Sequence, residues 1–191
     1  MEKYLREPIN GLTHFIGAVL SLFALVAMLI KVYATESSAI TLGSVLFFGV
    51  SMILLYSASA TYHSVIANDK VIKALKRLDH SMIFILITGS YAPFCLVALN
   101  GKIGFNLFMS VTICAVIGIV FKLCWVTCPR WVSSTMYIGI GWLAIIAIYP
   151  MSQVLPLMGL AWLVAGGLMY TIGGVIYALK TTAKTKRFCR I

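Results

Sequence analysis

Residues 11–32, GLTHFIGAVLSLFALVAMLIKV, form an apolar run whose only ionisable residues are His14 and Lys31. A transmembrane helix needs about 20 predominantly apolar residues, and this run supplies them. It is longer than the apolar core of a secretory leader, and no small-residue cleavage pattern follows it. The run therefore reads as a first membrane span.

Outward from it the pattern repeats, at roughly 40–62, 80–99, 103–124, 131–150 and 154–179. The composition agrees: 61% of residues are hydrophobic and 10% charged, and the mean hydropathy is +1.01, whereas soluble domains are about 45–50% apolar. Only helices and closed barrels satisfy every backbone group in lipid, and long runs without strand-length alternation select helices. The expected fold is all-α, a six-span transmembrane helix bundle forming a single domain over residues 1–180. Residues 181–191 are expected to be a basic tail, truncated or frameshifted where a further loop would begin.

The cysteines at 95, 114, 124, 128 and 189 fall mostly within apolar runs and show no paired framework, so they read as packing residues. Gly166, Gly167, Gly173 and Gly174 in the last run are expected to mark close helix contacts rather than a break.

Cytoplasmic segments of membrane proteins retain Lys and Arg. With the N-terminus inside, 13 of the 15 basic residues fall on the cytoplasmic side, leaving only Lys31 and Lys102 outside. Both termini are therefore expected in the cytoplasm. Basic loops resting on anionic inner-leaflet lipid account for the net charge of +10 without nucleic acid. The expected partners are membrane lipids, with a homo-oligomer compatible with the same reading. The connector Asn68 to Leu78 fits a short surface helix capped by Asn68 or Asp69, with Val71, Leu75 and Leu78 as its apolar stripe; a solvated basic loop fits equally.

This topology puts all three histidines on one membrane face. His14 lies near the start of span 1, His63 ends span 2 and His80 opens span 3, with Glu7 and Asp79 beside them. Glu7, Asn10 and His14 are spaced three and four apart, on one stripe of a helix that Pro8 can begin. Ser59 and His63 share a face in the same way. Asp79 either caps span 3 or points into the bundle. Imidazole, carboxylate and hydroxyl groups gathered in this way suit a transition metal and its water. His14 and His80 read as interfacial hydrogen-bonding residues rather than ligands, and His63 alone reads either as a ligand or as a helix-end histidine. One histidine is not a metal site.

The motifs Glu7-x-x-Asn10-x-x-Thr13-His14-x-x-Gly17, Ser59-x-x-x-His63, Leu78-Asp79-His80-Ser81 and Gly89-Ser90-Tyr91-Ala92-Pro93 resemble the hemolysin III family, bacterial relatives of the progestin and adipoQ receptors within a superfamily that includes alkaline ceramidases. The resemblance spans residues 7 to 180. It implies a seven-helix plasma-membrane bundle with a cytoplasmic N-terminus and an inner-leaflet zinc. By motif, His63 matches a zinc ligand, and Ser59 and Asp79 match the catalytic pair that hydrogen-bonds the zinc-bound water. Glu7, Asn10, His14 and His80 complete the motifs around them.

The family draws its other two ligands from a His-x-x-x-His pair opening a seventh helix, and no histidine follows His80 in this sequence. The expectation is thus zinc as the cofactor that the resemblance implies, at a metal site left incomplete in this chain, with its retention open. Cys124 and Cys128, spaced i and i+4, are the weaker substitutes. Three functions follow from the resemblance: a cytolytic, pore-forming membrane protein; a zinc-dependent lipid amide or ester hydrolase impaired in this chain; or a receptor-like bundle without catalysis.

Overall fold

The computed structural model describes residues 5–188, with side chains through residue 179. Among the described residues six helical stretches are long and apolar enough to cross a membrane: Pro8–Ala34, Ala39–Ser64, Asp69–Ala98, Lys102–Cys124, Arg130–Val154 and Leu157–Leu179. The reading of residues 181–191 as a truncated or frameshifted tail falls where side chains, and for 189–191 the backbone, lie outside the described residues.

The first compact unit extends to Val126. It comprises α1 (Pro8–Ala34), α2 (Ala39–Ser64), α3 (Asp69–Ala92), a π-helical continuation (Pro93–Ala98) and α4 (Lys102–Cys124). Each boundary has a local cause. Pro8 begins α1, where its missing N–H costs nothing. The Ser38 hydroxyl accepts the Thr41 N–H at 3.2 Å to open α2, and the Asn68 side-chain oxygen accepts the Val71 N–H at 3.0 Å to open α3. Asn100 and Gly101, at φ 30° and 103°, turn the chain into α4; a side chain at Gly101 would be strained.

Two expectations change at α3. The connector is helical and capped by Asn68, but it is neither a separate surface helix nor a loop: it runs without a break into the third span. Asp79 consequently sits in a helix interior and caps nothing. The cap at Asn68 and the absence of helix breakers up to Pro93 leave no reason for the helix to pause at Asp79.

Large apolar side chains such as Leu12, Phe15, Phe23 and Ile30 point outward, whereas Ser21, Ser44, Ser51 and Ser59 are buried. Lipid tails are as apolar as leucine, so association in a bilayer relies on close van der Waals fit and small residues. Gly17 of α1 lies against the Tyr56 ring, and Gly89 of α3 lies against the Ser51 hydroxyl of α2. A larger side chain at either place would push the helices apart.

The second unit begins at Thr127 and contains α5 (Arg130–Gly141), a 3₁₀ stretch (Trp142–Ala147), α6 (Ile148–Val154) and α7 (Leu157–Phe188). Pro150 cannot bond back to Ile146 and its ring crowds that carbonyl, which accounts for irregular helix just before it. α5 packs on α7 through Gly174 against Ile138 and a Trp142 indole N–H donated to the Thr171 hydroxyl at 3.2 Å. The Arg130 guanidinium lies 5.5 Å from the Tyr177 ring centroid. Of the four glycines expected at contacts, Gly174 is packed, while Gly166, Gly167 and Gly173 face open space and leave the helix unbroken.

Candidate functional site

Antiparallel packing of α1 on α2, and of α2 on α3, brings the start of α1, the end of α2 and the first half of α3 together. The residues just before Pro8 are tied down first. The Arg6 N–H donates to the Ser64 carbonyl at 3.3 Å and the Glu7 N–H to the His63 carbonyl at 2.9 Å. The Arg6 guanidinium donates to the Tyr62 carbonyl and lies 4.2 Å from the centroid of the Tyr62 ring. This strap sets the position of the Glu7 carboxylate.

Glu7 Oε2 accepts a hydrogen bond from the Asn10 amide at 2.7 Å and lies 2.9 Å from His63 Nδ1. Burial alone would raise the carboxyl pKa; the Asn10 and His63 hydrogen bonds, with the charges of His63 and Arg6, outweigh it and hold Glu7 below the usual carboxylate value. An ionised Glu7 assigns the proton of a neutral His63 to Nδ1 and leaves the lone pair on Nε2. Orientation of an imidazole by a carboxylate is also how metal-binding histidines are commonly held.

Aromatic rings enclose the histidines. His14 stacks on His63 with centroids 5.4 Å apart and planes 12° apart. Tyr62 meets His63 edge-on at 4.8 Å and His80 at 6.4 Å, while Tyr56 stands 6.0 Å from His14. His14 Nδ1 is buried with no hydrogen-bond partner among the described residues.

Deeper in α3, Asp79 is 6% exposed and Ser59, across on α2, 4% exposed. A side-chain hydrogen bond links the two, and Asp79 Oδ2 lies 2.9 Å from His80 Nδ1. Asp79 is also close enough to His63 and His14 to interact electrostatically with both. All seven sequence candidates, Glu7, Asn10, His14, Ser59, His63, Asp79 and His80, thus lie in one region of the first unit. Arg6, Tyr56 and Tyr62 were missed by sequence reasoning. Arg6 beside Glu7, and Tyr62 beside His63, are the only signals that pointed to them.

The donor set does not complete a metal site among the described residues, where no three His, Cys, Asp or Glu side chains gather to hold an ion. His63 offers Nε2, while the Asp79 carboxylate is engaged by Ser59 and His80. The i, i+4 spacing of the two cysteines does not fall within one helix: α4 ends at Cys124, and Cys128, buried with its sulfur 3.4 Å from the Ser133 hydroxyl, lies beyond it. The two share no helical face. What the structure shows is a half-buried cluster of imidazoles and carboxylates held by hydrogen bonds and ring stacking.

Comparison with known proteins addresses the whole chain. The chain is 39% identical to Hemolysin-3 of Bacillus cereus over 178 residues, covering 93% of this chain and 80% of the relative. It is 41% identical to the Hemolysin-3 homolog of Bacillus subtilis (strain 168) over 174 residues, covering 91% of this chain and 81% of that relative. No solved structure matches. The family model described as Haemolysin-III related matches residues 2–190, from before the Arg6–Glu7 strap and on through α7, and on that evidence the chain belongs to the hemolysin III family.

Proposed function

We propose that the protein acts on the bilayer itself, as a membrane-disrupting or pore-forming protein with a cytoplasmic N-terminus in the plasma membrane. The observation carrying this reading is the likeness, over at least 91% of the chain, to relatives named hemolysin-3. The six apolar helices suit a protein whose working surface is lipid. Within the first unit α1 packs closely on α2 and α2 on α3, at Gly17 against Tyr56 and Gly89 against Ser51. A pore in this reading therefore forms between copies, or between protein and lipid, rather than between those helices. Liposomes loaded with a self-quenched dye provide the test. Dose-dependent release, unchanged by a metal chelator, is expected; intact liposomes at high protein load would overturn the reading.

A second reading, a lipid amide or ester hydrolase dependent on zinc, is favoured by the convergence of Ser59, His63 and Asp79 in one largely buried polar cluster. No catalytic step is assigned to a metal, because the described residues supply too few ligands. Metal analysis of purified protein decides this case: about one zinc per chain, lost in His63→Ala, supports the hydrolase, and metal-free protein that still releases dye leaves the first reading alone.

A further inference from the structure

At the other end of the first unit, where α2 begins and the third span passes into α4, a surface cavity of about 380 Å³ opens. Its walls include Ile40 of α2, Leu96 of the π-helical turn and Phe105 of α4, with Ile40 and Phe105 otherwise facing lipid. Its polar lining comes from Asn100, Lys102 and Asn106. The cavity therefore has apolar sides, two amides able to donate hydrogen bonds and one cation. The volume corresponds to about a dozen waters at roughly 30 Å³ each. That is room for a phosphate headgroup and the first methylenes of its chains, with the remaining chain length lying in the bilayer.

We propose that this cavity is a binding site for an anionic phospholipid of the leaflet opposite the His63 cluster. The headgroup phosphate pairs with the Lys102 ammonium and accepts from the Asn100 and Asn106 amides, and an acyl chain follows Ile40, Leu96 and Phe105. Charge complementarity selects the occupant. Among the described residues of the first unit, Arg6, Lys70, Lys73, Lys76, Arg77 and Lys122 lie toward the end of the spans that carries His63, leaving Lys31 and Lys102 at this end. Only Lys102 of these two lines the cavity. α4 adds to the preference, because Gly101 at its N-cap supplies no side-chain acceptor for the first-turn N–H groups, and an anion is the complement of a helix N-terminus. A zwitterionic lipid gains less, since its own ammonium competes for the phosphate. A single cation near the surface of an anionic membrane favours anionic lipid by roughly fivefold, and the amide donors add affinity for the phosphate of either lipid.

This inference is independent of bilayer disruption, which is read by leakage rather than by lipid retention. The purified full chain is delipidated in detergent, titrated with phosphatidylglycerol or phosphatidylcholine, and examined by native mass spectrometry. Retention of one phosphatidylglycerol in preference to phosphatidylcholine is expected. Lys102→Gln should weaken it about fivefold, Lys102→Arg should restore it, and Lys31→Gln should leave it unchanged. Asn106→Leu is the second variant, expected to weaken retention severalfold without altering charge. Equal retention of the two lipids, equal loss in Lys31→Gln and Lys102→Gln, or displacement by millimolar inorganic phosphate would each overturn the assignment, the last by showing a site for free phosphate.

Discussion

Glu7→Gln tests whether the strap orients His63, because the substitution keeps the shape and removes the charge. In the native protein the carboxylate is held by Asn10 at 2.7 Å and His63 at 2.9 Å, with Arg6 at 3.9 Å. Hydrogen bonds to a charged group contribute about 1.5–3 kcal/mol each when shielded. The Glu7 side chain is 42% exposed, so screening by solvent reduces each to about 0.5–1 kcal/mol. Losing the ionic character of both the Asn10 and His63 bonds should then cost about 1–2 kcal/mol, a fall of roughly 2–8 °C in Tm for a chain of this size. Thermal unfolding in detergent reads the stability, and ¹⁵N resonances of the imidazoles read the His63 tautomer, expected to lose its Nδ1–H preference. The pH dependence has a fixed sign. Glu7 has its pKa lowered in the folded protein from an ordinary value of 4.5, so its contribution is complete above that value and is lost as pH falls through the folded pKa. The gap in Tm between native protein and Glu7→Gln should be fully present at pH 7 and close only as pH falls below 4.5 through the folded carboxyl pKa. A gap that is absent at pH 7, or a double-mutant cycle of Glu7→Gln with His63→Ala showing no coupling, would refute the orienting role.

Other substitutions probe the packing that carries the site. Phe84→Ala, at a side chain fully buried against Gly118, should cost about 2–3 kcal/mol from a cavity of roughly 100 Å³, measured by unfolding in mixed detergent micelles; a cost below about 0.5 kcal/mol would mean that the helices collapse around the gap. Gly89→Val places a branched side chain on the Ser51 hydroxyl and should destabilise by about 1–3 kcal/mol, whereas Gly166→Ala, which meets open space, should change the same unfolding curve little. Ser59→Ala removes the hydroxyl bonded to Asp79 and should lower stability by about 1–2 kcal/mol, with unchanged helix content by circular dichroism.

The spans were legible because a bilayer imposes one length and one composition on every crossing helix. Apolar runs beginning near residues 11, 40, 103 and 131 correspond to helices beginning at Pro8, Ala39, Lys102 and Arg130. The third span was misjudged at its start, since charge ends an apolar run in the sequence but does not end a helix, and Lys70, Lys73 and Lys76 are good helix formers. The cluster was legible in part: helical spacing placed Glu7 beside Asn10, and one-sided topology gathered the histidines. Spacing within one helix carries no information about neighbouring helices, so the stacking of His14 on His63 and the bond from Ser59 to Asp79 were beyond it. The Arg6–Glu7 strap rests in part on main-chain bonds, Arg6 to Ser64 and Glu7 to His63, which leave no mark in side-chain identity.

The wide turn from Pro93 to Ala98 amounts to one extra residue of chain. Its bond from the Leu99 N–H to the Phe94 carbonyl, at 2.9 Å, skips five residues instead of four, in the stretch where Pro93 has already removed one donor. Straightening this turn into regular helix with every residue kept would rotate everything beyond it by about 100° around the axis. Asp79, His80 and Phe84 would keep their places, while Asn100 and Lys102 would swing away from Ile40. The wide turn thus works as a phase corrector, taking up one residue's worth of rotation so that the two ends of the third span keep their faces.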